Sequence, residues 1–112
     1  MKVEGANFSV EYFPNENRIC FDGSLRLQGK EEYADINNLL LESASANEDP
    51  LKLDMRGLKF LNSSGISALS LFIIQMRKKN KEITIIGSRS ISWQTKSLRN
   101  FQRLYGKVQI DI

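Results

Sequence analysis

The chain of 112 residues contains no histidine and a single cysteine, Cys20. Without histidine, the Ser-His and Cys-His pairs that activate most side-chain nucleophiles cannot form, and the commonest metal ligand is missing. One cysteine excludes an internal disulfide and argues against a cysteine-based metal site, so neither a metal nor another cofactor is expected. Cys20 lies in the apolar run Ile19-Cys20-Phe21, where burial as a small hydrophobe is expected. Proline and glycine are scarce, at 2 and 7 residues, and no linker, repeat or low-complexity segment is visible. No apolar run reaches the roughly 18 residues of a membrane span, because Ser67, Ser70 and Gln75 interrupt the longest one. No basic stretch followed by an apolar one opens the chain, so nothing suggests secretion, no membrane association is expected, and a cytoplasmic location follows by default.

The remaining composition, 41% hydrophobic and 26% charged, is that of one globular domain spanning residues 1–112. Net charge is +3, from 16 basic and 13 acidic residues. The basic side chains cluster at Arg77-Lys78-Lys79 with Lys81, and at Lys96, Arg99, Arg103 and Lys107. Both clusters suit the negative C-terminal ends of helices. No interleaving of aromatic and basic residues accompanies them, so nucleic acid is not expected as a partner.

Hydrophobic periodicity sets out the elements. Phe8, Val10 and Tyr12 alternate with Ser9 and Glu11, and Arg18–Phe21 forms a second short strand after the turn residues Pro14-Asn15-Glu16-Asn17, which predicts a hairpin. Residues 1–6 carry no pattern, and Asp22-Gly23 reads as the end of the second strand. A helix is expected from Gly29 or Lys30 to about Ser45, with Tyr33, Ile36, Leu39, Leu40 and Ala44 on one stripe. Pro50 separates it from a strand in which Leu51, Leu53 and Met55 alternate with Lys52 and Asp54, broken at Gly57. From Phe60 to Met76 there is no charged side chain, and Ile66, Leu69, Phe72, Ile73 and Met76 recur at helical spacing. Ile83–Ile86 is a short strand apolar enough to be covered on both faces. A further helix runs from Ile91 or Ser92 to about Tyr105, with Ser90 or Ser92 as cap and Trp93 or Ile91, Leu98, Phe101 and Leu104 facing inward. Val108–Ile112 closes the chain as a strand. This order predicts an α/β fold: a single mixed sheet of about five strands packed with three to four helices, the central strands parallel through right-handed crossovers.

Between the central strand and its helix lies a knot of small polar residues, Asn62-Ser63-Ser64-Gly65. A helix start leaves its first N–H groups unpartnered, and one Asn or Ser side chain satisfies one of them. The plain reading makes all of these residues caps and turn formers. One cap is enough, however, so at least one hydroxyl is left over beside an apolar surface.

The block LDMRGLKFLNSSGISALSLFI resembles the central motif of STAS domains, the bacterial anti-sigma-factor-antagonist family, in which a strand leads through a loop to Asp-Ser-Ser-Gly and a helix. The order of flanking strands and helices fits that family over nearly the whole chain. Asn62 stands where the family carries Asp, and Leu61-Asn62-Ser63-Ser64 is similar to the Leu-Asn-Thr-Ser-Ser of a related branch of small partner-switching regulators, the SiaC-like proteins. The resemblance implies that Ser63 is phosphorylated by an ATP-dependent Ser/Thr kinase of the histidine-kinase-like fold. It also implies a metal-dependent Ser/Thr phosphatase and a downstream regulatory protein as partners. On this reading the chain is a non-enzymatic switch. Ser64 is the structural cap, Asn62 shapes the turn beside Gly65, and Ile66 and Leu69 belong to the partner-binding surface. A second reading, favoured by the missing Asp, is a constitutive STAS-type protein-binding scaffold without phosphorylation. A serine-dependent enzyme is the weakest: Lys59 is the only basic group near the serine pair in sequence, and no Ser-x-x-Lys spacing links them.

Overall fold

Six strands and four helices make up the computed structural model, which describes residues 1–112. Strands β1 (Lys2–Glu4), β2 (Phe8–Phe13) and β3 (Arg18–Leu25) are antiparallel neighbours. A short helix α1 (Gly29–Glu32) and helix α2 (Ala34–Ala44) lead to β4 (Leu51–Leu61), then α3 (Ser63–Lys78), β5 (Ile83–Ile86), α4 (Ser92–Leu104) and β6 (Val108–Asp111). The sheet keeps chain order from β1 to β6, and β3, β4, β5 and β6 are parallel.

Sequential parallel strands joined by right-handed crossovers put every helix on the same face of the sheet. The burial pattern agrees. Ile19, Phe21, Leu53, Met55, Ile83 and Ile85 are buried beneath the helices, whereas Lys52 and Asp22 on the opposite face are exposed and Arg18, Cys20, Thr84 and Ile86 are half-buried. The fold is therefore two layers, with α3 in the middle of the helical one and touching α2 on one side and α4 on the other. The expectation that β5 is covered on both faces fails here: Thr84 and Ile86 look into an uncovered face.

The central strand is the main departure from the periodicity. β4 continues through Gly57 to Leu61, eleven residues in all. Its register against β3 slips between Cys20 and Asp22 and again between Gly23 and Ser24. These bulges change the spacing of its buried residues from two to three: Leu53, Met55, Leu58, Leu61. Gly57 is a point of close approach, not a terminus, since a methyl group there would strike the Asp22 carboxylate. The same pairing carries β3 past Asp22-Gly23 to Leu25, which pairs with Leu61. β1, in the stretch without pattern, is a three-residue edge strand, too short for alternation to register. The helix expected from Gly29 to Ser45 is interrupted at Tyr33, which separates α1 from α2. Helix α4 has no side-chain cap; its N-cap residue is Ile91, not Ser90 or Ser92. No helix is long and apolar enough to cross a membrane.

Candidate functional site

The second bulge and Leu61 deliver the chain to α3 with Asn62 in extended conformation, φ −77° and ψ 175°. From that position the Asn62 side-chain oxygen accepts the Gly65 N–H at 2.9 Å and the Tyr33 hydroxyl at 2.8 Å, while its amide donates to the Leu27 carbonyl at 2.7 Å. Asn62 is thus the N-cap, and it also ties α3 to the chain ahead of α1 and to the Tyr33 break. The assignment of Ser64 as cap is corrected. Ser63 and Ser64 are already inside the first turn, and the Ser64 hydroxyl instead accepts a long contact from the Gly29 N–H at 3.4 Å. Gly65 is buried, and a methyl group on it would collide with Leu61 and come within 2.6 Å of the Tyr33 hydroxyl. Burial pushes the Tyr33 phenol above its ordinary pKa.

Ser63 is the first residue of α3 and is exposed, and no hydrogen bond engages its hydroxyl. Its N–H and that of Ser64 are the helix donors the Asn62 cap does not reach. No acidic side chain occupies the first turn. Ser63, Ser64 and Ser67 line a shallow depression of about 210 Å³ together with Gly29, Lys30 and Leu71. Lys30 and Leu71 also border a neighbouring cleft of about 260 Å³ between α2 and α3, which includes Tyr33, Asn37 and Gln75. An added anion on Ser63 meets the positive end of the α3 dipole and two free N–H groups, in a depression that Lys30 also lines.

The expected partner surface needs correction. Leu69 is 5% exposed and belongs to the core with Phe72, Ile73 and Met76, so it cannot meet a partner. Ile66 is half-buried. The apolar side chain that α3 does present is Leu71, 48% exposed, on the side opposite Leu69 and next to the Ser63 depression. Its position off the buried helical stripe was readable in the sequence.

Two further polar groups escaped the sequence reading. On the uncovered sheet face, Asp54 accepts from Arg56 through two nitrogens, at 2.7 and 3.0 Å, and from Arg18 at 2.9 Å. The Arg56 hydrogen bonds hold its carboxyl below the usual range. Cys20, expected to be buried, is half-buried beside this cluster, and desolvation pushes its thiol pKa up. Gln94 is fully buried in α4, donating to the Met55 and Leu58 carbonyls and accepting the Ser88 N–H. It stitches the bulged part of β4, whose carbonyls lack ladder partners, to α4. No group of three His, Cys, Asp or Glu is arranged to hold a metal ion.

No family model and no curated protein matches the chain. Among solved structures, SiaC of Pseudomonas aeruginosa is similar, with a TM-score of 0.71 and 14% identity over 100% of this chain and 95% of that one. The crystal structure of diguanylate cyclase SiaD in complex with its activator SiaC, from the same organism, contains a similar chain with a TM-score of 0.71 and 14% identity, covering 99% and 98% of the two chains. Apo-SiaC matches at a TM-score of 0.69 and 15% identity over 100% and 98%. At these identities the likeness is one of fold: the mixed sheet with its helices on this chain has the architecture of SiaC.

Proposed function

We propose that this chain is a non-enzymatic regulatory protein whose binding to a partner is controlled by reversible phosphorylation of Ser63. The observation that carries the reading is the Ser63 hydroxyl itself: exposed, free of hydrogen bonds and set over open backbone donors at the start of the central helix. A phosphate there adds nearly two negative charges. The helix dipole, the two N–H groups and Lys30 accommodate it, so the domain stays folded. The burden falls on the partner. A protein seated over Leu71 and the α2/α3 cleft must desolvate that dianion, and a loss of about 3 kcal/mol corresponds to roughly a hundredfold in affinity.

SiaC is an activator of the diguanylate cyclase SiaD. The shared fold supports a signalling enzyme of that kind as the downstream partner. An ATP-dependent Ser/Thr kinase and a metal-dependent phosphatase are the modifiers on this reading. The test is phosphosite mapping by mass spectrometry of the protein from its own cells, joined to affinity measurements on the partner recovered with it. Phosphate on Ser63 is expected, with Ser63→Ala binding as wild type and Ser63→Asp about a hundredfold weaker. Phosphate on Ser64 but never on Ser63 overturns the assignment. Unchanged affinity of Ser63→Asp makes the chain a constitutive scaffold.

A further inference from the structure

Charge in this chain is sorted along the sequence, and the fold turns that order into a spatial one. Residues 1–50 hold ten acidic against four basic side chains, whereas residues 77–112 hold nine basic against two acidic. In the helical layer, α1 and α2 present Glu31, Asp35 and Glu42 to solvent, and α4 presents Lys96, Arg99 and Arg103 with no acid along its length. α3 runs between them, and from Ser63 to Met76 its exposed positions Ser63, Ser67, Leu71 and Gln75 are uncharged, with charge confined to Arg77 and Lys78 at its C-terminal end. The layer therefore reads acidic, neutral, basic from one flank to the other.

We propose that this face pairs with the same face of a second copy of the chain. Two such layers can meet about a two-fold axis in only two simple ways. An axis perpendicular to the helices lays α2 on α2 and α4 on α4, setting like charges together. An axis along α3 lays each acidic α2 on the basic α4 of the other copy, with α3 on α3 and Leu71 against its counterpart on the axis. Only the second arrangement pairs the acidic flank with the basic one, at the cost of bringing the exposed Arg77 and Lys78 ends of the two α3 helices together, and it is isologous and closed. Its size is adequate. α3, with 16 residues, is about 24 Å long, and three helices side by side span about 28 Å. Each copy thus buries about 650 Å², or about 1,300 Å² in total, inside the range of specific interfaces. With Leu71, 48% exposed, as the one large apolar side chain the helical face presents, charge supplies most of the attraction. The dimer is consequently salt-sensitive, and because it covers Leu71 and the α2/α3 cleft it excludes the partner of the proposed function from the same face.

Sedimentation of the unmodified full chain tests this independently of any event at Ser63. A dimer is expected at about 50 mM salt, at least tenfold weaker near 500 mM. Lys96→Glu/Arg99→Glu and Asp35→Lys/Glu42→Lys should each be monomeric at concentrations where wild type pairs, and an equimolar mixture should restore a dimer of one copy of each. Far-UV circular dichroism checks that both variants fold. If the lysine variant does not, Asp35→Asn/Glu42→Gln takes its place, with at least tenfold weaker pairing expected. A wild type that stays monomeric at low salt up to about 1 mM overturns the proposal, as does failure of the mixture to pair. Masses that grow beyond two copies also overturn it, since they indicate head-to-tail stacking.

Discussion

Replacing Asn62 by alanine removes three hydrogen bonds with one side chain, and the cost follows from what each leaves behind. Loss of the cap on the Gly65 N–H is worth about 1 kcal/mol. The Tyr33 hydroxyl belongs to a residue only 3% exposed; stripped of its acceptor it adds about 1–2 kcal/mol. The Leu27 carbonyl sits in a half-buried residue that water can reach, so it adds little. The total is about 2–3 kcal/mol, or roughly 10 °C in Tm for a domain of this size. Asn62→Asp separates the contributions, because a carboxylate keeps both accepted bonds. It faces the Leu27 carbonyl, 2.7 Å from the present amide nitrogen, with an oxygen instead of a donor. The helix dipole returns about 0.3–1 kcal/mol of that repulsion, so a net loss near 1 kcal/mol is expected. Ser64→Ala should cost under about 0.5 kcal/mol, since its hydroxyl is not the cap. Urea unfolding followed by circular dichroism and Trp93 fluorescence measures all three. Asn62→Ala within about 0.5 kcal/mol of wild type, or less harmful than Asn62→Asp, would refute the capping account.

Gly65→Ala should destabilise by about 1–3 kcal/mol through overpacking, because the new methyl meets Leu61 and the Tyr33 hydroxyl; a Tm equal to wild type would contradict the close packing. Leu69→Ala should cost about 2–5 kcal/mol in stability while leaving the partner affinity of the folded fraction intact, whereas Leu71→Ala should weaken binding with little change in Tm. Asp54→Asn should cost about 1 kcal/mol at pH 7, discounted because Arg56 stays in water. The folded-state pKa of Asp54 is depressed. Its stabilisation is therefore complete above the unfolded value near 4 and lost as pH falls through the lower folded one. Stability curves of wild type and Asp54→Asn should converge as pH falls below the unfolded value; a constant gap across that range would show that the carboxylate's charge is not what matters.

Elements with an unbroken period were legible in the chain. The stripe Ile36, Leu39, Leu40 and Ala44 and the stripe Leu69, Phe72, Ile73 and Met76 are buried as spaced. The hairpin and the alternation of strands with helices gave the mixed sheet. Where the period was disturbed, the reading stopped short. β4 looked like a five-residue strand because two bulges re-phase its buried positions, and such a slip exists only relative to the partner strand β3. Gln94 carried no signal in the sequence because its three partners come from β4 and from the loop before α4, up to 39 positions away in sequence.

By itself the sequence determined that a serine pair sits at the head of the central helix and that histidine-dependent chemistry is absent, because both are properties of residue identity and local spacing. Which residue caps and which hydroxyl stays free were decided only by tertiary structure. Asn62 wins the cap because Tyr33 and Leu27, distant in sequence, converge on its side chain and hold it extended, and that leaves Ser63 bare. Leu69 and Leu71 are chemically identical and two positions apart. A rotation of about 200° around α3 sends one into the sheet and the other to solvent; the helical spacing already indicated which, and the packing of the layer places Leu71 beside the Ser63 depression.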